Sequence, residues 1–98
     1  METLRVIVVD DEPLAREGLI LRLNQLSDIE VIKECRNARE TLDAISDLRP
    51  DVVFLDIEMP GMTGIELSKH IQDQSPPAIV FVSAYKQYAV EAFDLRAA

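Results

Sequence analysis

Four short runs of β-forming residues alternate with helical patterns along this 98-residue chain. Runs rich in Val and Ile are typical of strands that are buried in a parallel sheet. Strands that alternate with helices join into right-handed βαβ units, with helices covering both faces of the sheet. The alternation therefore predicts one open, doubly wound α/β domain. The runs, in chain order, are Leu4–Val9, Ile29–Cys35, Val52–Leu55 and Ala78–Val82.

The first helix is predicted between Leu14 and Leu26, directly after Pro13. Proline is favoured at the first position of a helix, where its missing N–H costs nothing. Apolar residues recur through this segment at helical spacing, which predicts a broad buried stripe. The members of the stripe are Leu14, Ala15, Gly18, Leu19, Leu21, Leu23 and Leu26.

Capping residues mark the start of two further helices. In each case an Asn or Thr is followed three residues later by a Glu, the spacing of a capping box. A fourth helix follows the last strand, where apolar and aromatic residues again recur at helical spacing. The predicted helices run from Asn37 to about Leu48, from Thr63 to a point before Pro76, and from Tyr85 to about Leu95.

The balance of charge limits the partners that this chain can bind by itself. It has 18 acidic and 10 basic residues, which gives a net charge of −8. Contacts with nucleic-acid phosphates need clustered Lys and Arg, so we expect DNA to be reached only through another domain. An acidic surface suits a cation or a basic partner surface instead.

Cysteine usage and hydropathy predict the compartment. The chain has one cysteine, Cys35, so an internal disulfide is excluded and a reducing compartment is favoured. No apolar run approaches the ~20 residues that span a bilayer, and no signal-peptide pattern precedes the first strand. We therefore expect a cytoplasmic protein without membrane contact.

Polar residues follow three of the four predicted strands. Asp10 and Asp11 follow the first strand, Asp56 the third and Ser83 the fourth. Because the carboxyl ends of parallel strands meet at one edge of a sheet, we expect these side chains to lie together. Clustered carboxylates repel each other unless a cation lies among them, and oxygen ligands of this kind suit Mg²⁺. A carboxylate beside Mg²⁺ can accept a phosphoryl group, with the serine hydroxyl donating a hydrogen bond to it.

Three segments together resemble the receiver domain of two-component response regulators. They are Val-Val-Asp-Asp-Glu at 8–12, the segment from Pro50 to Gly64, and Phe-Val-Ser-Ala-Tyr at 81–85. The resemblance implies a flavodoxin-like, CheY-like fold, with strand order 2-1-3-4 followed by a fifth strand. A fifth strand and fifth helix are missing from residues 1–98, so we expect a receiver domain that is incomplete at its C-terminal end.

The resemblance also implies a role for each polar residue. Asp56 is similar to the phosphoacceptor that takes its phosphoryl group from a sensor histidine kinase. Asp10, Asp11 and Asp56, with the backbone carbonyl of Glu58, are similar to the Mg²⁺ ligands. Ser83 is similar to the switch hydroxyl that contacts the phosphoryl group. The domain is expected to be a signalling switch and not an enzyme.

The end of the chain carries further expectations. Residues 81–93 are similar to receivers that precede a LytTR-type DNA-binding domain, and we expect that effector domain to lie outside residues 1–98. The lysine that normally contacts the phosphoryl group is absent together with the fifth strand. Without that strand, Ala78–Val82 is predicted to be an unpaired edge that favours a homodimer or other self-association.

Other interpretations of the same residues remain open at this stage. Asp56 could be the nucleophile of a phosphatase-like hydrolase, or the acidic pocket could be vestigial in a protein-interaction module. Asp10 and Asp11 could be simple charges before a helix, and Ser83 an ordinary turn serine. His70, among polar neighbours, is expected to be a surface residue.

Overall fold

Seven elements alternate in the computed structural model, which describes residues 3–59, 61–71 and 76–82. The strands are β1 (Leu4–Val9), β2 (Ile29–Cys35), β3 (Val52–Asp56) and β4 (Ala78–Val82). The helices are α1 (Pro13–Leu23), α2 (Ala38–Leu48) and α3 (Gly64–His70). The predicted alternation is confirmed over these residues. The predicted fourth helix and Ser83 lie outside them.

The described strands form one parallel sheet with the order β2-β1-β3-β4, which confirms the predicted order. β1 is central and pairs with both β2 and β3. Its last residue, Val9, lies opposite Cys35 on one side and Leu55 on the other. This register brings the carboxyl ends of β1 and β3 side by side, so the residues that follow them share one edge of the sheet.

Alternate residues of the central strands point into two separate apolar layers. One layer lies under α2 and α3 and includes Ile45 and Leu67. The other lies under α1 and includes Leu23. The strand residues of the first layer are Ile7, Val9, Val53 and Leu55, and the buried strand residues of the second are Val6 and Val8. Side chains that are buried on both faces explain why β1 and β3 read as continuous apolar runs.

The prediction for α1 is wrong in its extent and in the breadth of its buried stripe. The helix ends at Leu23, and among the residues of the predicted stripe, all of which the structure describes, Leu23 alone is buried. Leu14 is 81% exposed and Leu21 is 67% exposed, and Leu26 lies beyond the helix and is 48% exposed. Apolar residues occur on every side of this helix, so their spacing could not indicate which side packs on the sheet.

The capping predictions for the other two helices are confirmed. The Asn37 side chain accepts a hydrogen bond from the Glu40 N–H at 2.8 Å. Thr63 and Glu66 form a reciprocal capping box, with N···O distances of 3.0 and 3.1 Å. These local bonds fix where α2 and α3 begin, and α3 begins directly beside the end of β3. Within the described ranges, no helix is long and apolar enough to cross a membrane.

Candidate functional site

Three carboxylates meet at the carboxyl edge of the sheet. Asp10 and Asp11 follow β1, and Asp56 is the last residue of β3. Each contributes one carboxylate oxygen, and these three oxygens all lie within 4.8 Å of one another. All three residues are half-buried. The structure thus brings together the acidic residues that were predicted to meet because they follow neighbouring parallel strands.

The charges of this acidic cluster are costly to maintain. Burial raises the pKa of Asp56 from 3.8 to about 7, and the neighbouring carboxylates of Asp10 and Asp11 add to the rise. Burial also raises the pKa of Asp10, again with a contribution from Asp11. In the absence of a cation, Asp56 is therefore partly protonated close to neutral pH.

The peptide of Asp10 is held on both sides. Its N–H donates to the Cys35 carbonyl at 3.1 Å, and its own carbonyl accepts from Arg16 Nη1 at 2.8 Å. One carboxylate oxygen, Oδ1, accepts from the Glu12 N–H at 2.9 Å. These bonds fix the direction of the Asp10 side chain, and among the described residues they leave Oδ2 for another partner.

Asp56 is placed by the strand and by the close approach of α3. The Ile57 N–H donates to the Val82 carbonyl at 3.1 Å, which extends the β3–β4 pairing past Asp56. The Gly64 N–H donates to the Ile57 carbonyl, and a Cβ on Gly64 would overlap the Asp56 carbonyl oxygen. Only a glycine permits this contact, which seats the start of α3 against the end of β3. The Glu58 N–H lies 3.4 Å from Asp56 Oδ1.

The donor set fits a hard divalent cation. The three side chains of the acidic cluster offer oxygen atoms alone, and they come from half-buried positions that water can reach. Mg²⁺ prefers one or two carboxylates together with water and phosphate oxygens, and this arrangement allows that combination. The role of the Glu58 carbonyl stays a prediction, and its side chain is exposed.

Beyond the acidic cluster, one further expectation from the sequence, the exposure of His70, is met in the described residues. His70 is exposed at the end of α3, as predicted for a surface residue. Cys35 is fully buried and free. Met59 is buried and Met62 packs against the first apolar layer, so both pack around the loop after β3. Ser83 lies outside the described residues.

Sequence reasoning did not identify Arg16, Glu34 or the contact made by Gly64. Arg16 donates from Nε to Glu34 Oε1 at 2.8 Å, and its side chain is only 13% exposed. The sequence shows only that Arg16 is a charged residue one turn into a mainly apolar helix. That position does not reveal which groups accept its hydrogen bonds. Gly64 ends one of the segments that carry the family resemblance, but its contact depends on how α3 meets β3.

Comparisons with known proteins identify relatives of this chain. Residues 6–98 match the response regulator receiver domain family. The chain is 55% identical over 91 residues to a response regulatory protein of Yersinia pestis, and 48% identical over 91 residues to the transcriptional regulatory protein BtsR of Escherichia coli. Each alignment covers 93% of this chain and 38% of the relative, so the chain spans well under half the length of either protein.

A solved structure shows the same fold. The response regulator domain of Thermotoga maritima CheB superimposes with a TM-score of 0.80 and 30% identity, covering 97% of this chain and 74% of that one. This similarity confirms the CheY-like receiver fold that the sequence predicts. The chain therefore belongs to the response regulator receiver domain family.

Proposed function

We propose that this domain is a phosphorylation switch in which Asp56 accepts a phosphoryl group from the phosphohistidine of a sensor histidine kinase. The observation that carries the proposal is the convergence of three carboxylate oxygens within 4.8 Å at the ends of two neighbouring strands. Asp10, Asp11 and Asp56 would hold Mg²⁺, as expected from the oxygen donor set. Membership of the family supports the same assignment.

The chemistry follows from the position of Asp56. A bond forms between a carboxylate oxygen of Asp56 and phosphorus, while the P–N bond to the kinase histidine breaks and its electron pair stays on the imidazole nitrogen. When bound, Mg²⁺ supplies positive charge that offsets the negative charge on the phosphoryl oxygens and the carboxylates. The pairing of β3 in the sheet and the packing of the start of α3 against it hold the Asp56 backbone while its side chain reacts.

Two further residues belong to the proposal by resemblance. Ser83 would donate its hydroxyl to the phosphoryl group, and the Glu58 carbonyl would complete the Mg²⁺ ligands. Ser83 lies outside the described residues, and the roles of both residues stay predictions.

The output of the switch is proposed from the relatives. BtsR is a transcriptional regulatory protein, and this chain covers 38% of it, so we propose that the domain controls a DNA-binding effector in a longer protein. The net charge of −8 supports the view that DNA is reached only through that effector. A LytTR-type effector and a homodimer stay predictions.

The same proposal places the protein in the cytoplasm, where a sensor kinase would present its phosphohistidine. A free, buried Cys35 is compatible with that reducing compartment. We favour a signalling role over a phosphatase-like hydrolase because the matched family is a signalling domain.

The proposal is tested by intact mass after incubation with a small phosphoramidate or acyl phosphate and Mg²⁺. The wild-type chain should gain one phosphoryl group, and Asp56→Asn should gain none. Asp47→Asn is the matched control, because Asp47 is an exposed aspartate on α2 outside the acidic cluster. EDTA should abolish the mass gain in both the wild type and Asp47→Asn. A wild-type chain that binds Mg²⁺ but never gains mass would favour a vestigial pocket instead.

A further inference from the structure

One arginine joins three elements next to the acidic cluster. Arg16 lies in the first turns of α1, and its side chain is 13% exposed. Its Nη1 donates to the Asp10 carbonyl and its Nε donates to Glu34 Oε1, both at 2.8 Å. Glu34 belongs to β2, so the guanidinium connects the edge strand, the first helix and the end of β1.

Arg16 also closes the turn that carries the acidic pair. Its backbone N–H donates to the Glu12 carbonyl at 3.0 Å, while its side chain holds the Asp10 carbonyl. The Cys35 carbonyl accepts the Asp10 N–H from the other side. Hydrogen bonds therefore hold both ends of the segment from Asp10 to Glu12, and Arg16 donates two of them.

We infer that Arg16 is a positioning residue for the metal site: its guanidinium fixes the Asp10 peptide so that the acidic pair faces Asp56. The inference rests on the proposed function, because it assigns Arg16 a role in Mg²⁺ binding. Groups that hold a metal ligand in place affect metal affinity even though they do not touch the metal. Glu34 contributes indirectly, because its carboxylate accepts a hydrogen bond from the guanidinium and so orients it.

The shape of the arginine side chain is essential to the inference. A guanidinium is planar and donates in two fixed directions, here to a carbonyl and to a carboxylate. A lysine ammonium keeps the charge but has no such fork, so Arg16→Lys separates the geometry from the charge. Arg16→Gln removes the charge as well.

Charge alone would give the opposite result. A positive group close to a cation site opposes the binding of Mg²⁺, so its removal should tighten binding if charge were its whole effect. Under that alternative Arg16→Gln binds Mg²⁺ more tightly than the wild type and Arg16→Lys is unchanged. Under the positioning role both substitutions weaken binding.

The test is isothermal titration of the intact domain with Mg²⁺. We expect Arg16→Lys and Arg16→Gln to weaken Mg²⁺ binding roughly tenfold, and Glu34→Gln to weaken it by a smaller factor in the same direction. Arg22→Gln is the control, because Arg22 is an exposed arginine in the last turn of the same helix, and its affinity should equal that of the wild type.

A second readout separates positioning from general stability. In the metal-free state, amide hydrogen exchange at Asp10 and Glu12 should speed up in both Arg16 variants, while exchange at Leu23 stays as in the wild type. If an Arg16 variant fails to fold, amide exchange at Asp10 in Glu34→Ala still decides the matter. This substitution removes the oxygen that accepts from Arg16, and the Glu34 side chain is 54% exposed, so its loss leaves the core intact.

The outcomes also distinguish this inference from the proposed function. A wild-type domain that does not bind Mg²⁺ overturns both. A wild-type domain that binds Mg²⁺ while the Arg16 and Glu34 variants bind it equally well overturns only the positioning role. Tighter binding by Arg16→Gln overturns it in favour of simple charge repulsion.

Discussion

At the scale of single residues, Asp56 carries a carboxylate that is difficult to ionise in the folded protein. Burial and the nearby carboxylates of Asp10 and Asp11 raise its pKa to about 7. In the unfolded chain the same group has its ordinary pKa of 3.8. Between those two pH values the folded protein binds a proton that the unfolded chain has lost.

This difference sets the sign of a pH dependence. Because the folded state binds more protons, the free energy of unfolding contributed by Asp56 falls as pH rises from the ordinary pKa to about 7, and the loss is complete above it. We predict that Asp56→Asn stabilises the metal-free domain near pH 8 by on the order of 1 kcal/mol, after allowance for partial exposure.

Urea unfolding in EDTA measures this effect. The stabilisation should disappear below about pH 3, where the carboxyl group is largely protonated in both states. Asp47→Asn, on the exposed face of α2, should show no comparable gain at the higher pH. A lower stability of Asp56→Asn than of the wild type near pH 8 would contradict the electrostatic account of the site.

The same scale shows which residues a sequence can reveal. Asp10, Asp11 and Asp56 could be predicted because each follows an apolar strand, and parallel strands end at one edge. Arg16 could not, because its acceptors are a backbone carbonyl and a glutamate on β2. No pattern in the chain reports which backbone carbonyl a long side chain will reach.

At the scale of elements, the junction between β3 and α3 has no room for a side chain at Gly64. A Cβ there would overlap backbone atoms of Asp56, and backbone atoms cannot rotate away. We predict that Gly64→Ala destabilises the domain by about 2–4 kcal/mol and weakens Mg²⁺ binding, because α3 must move away from the Asp56 peptide.

Gly18 provides the matched control for this prediction. It lies within α1, where an added Cβ meets nothing within 4 Å. Gly18→Ala should stabilise the domain by up to about 1 kcal/mol, because alanine is the better helix former. Urea unfolding of both variants decides the question, and equal effects of the two substitutions would argue against the packed junction.

Helix boundaries and helix orientation were not equally predictable. Asn37 and Thr63 marked helix starts correctly because a cap is a local bond between neighbouring residues. The buried face of α1 was predicted wrongly because leucines occur on two opposite sides of the helix, and only the sheet decides that Leu23 is covered while Leu14 and Leu21 are exposed. Orientation is a property of the packed domain.

At the scale of the whole molecule, a net charge of −8 and a convergent acidic cluster make folding sensitive to divalent cations. The cluster exists only in the folded sheet, so a cation that binds it stabilises the fold by mass action. We predict that Mg²⁺ raises the midpoint of thermal unfolding, with a gain of about 2.7 kcal/mol at a concentration of 100 Kd.

The size of this gain should depend on pH. Protons compete with Mg²⁺ for Asp56, whose pKa is about 7, so the increase in midpoint should be larger near pH 8 than near pH 6. Thermal scans at matched ionic strength measure it, with NaCl in place of MgCl₂ as the control. Equal gains from the two salts would mean that Mg²⁺ acts only by screening the net charge.

Cys35 gives the molecule a natural chemical reporter. Its thiol is fully buried, and burial raises its pKa, so in the folded protein it is shielded from alkylating reagents and oxidants. The carbonyl of the same residue accepts the Asp10 N–H beside the acidic cluster. The extent of thiol labelling therefore follows the population of molecules in which the end of β2, next to the bond that holds Asp10, has opened.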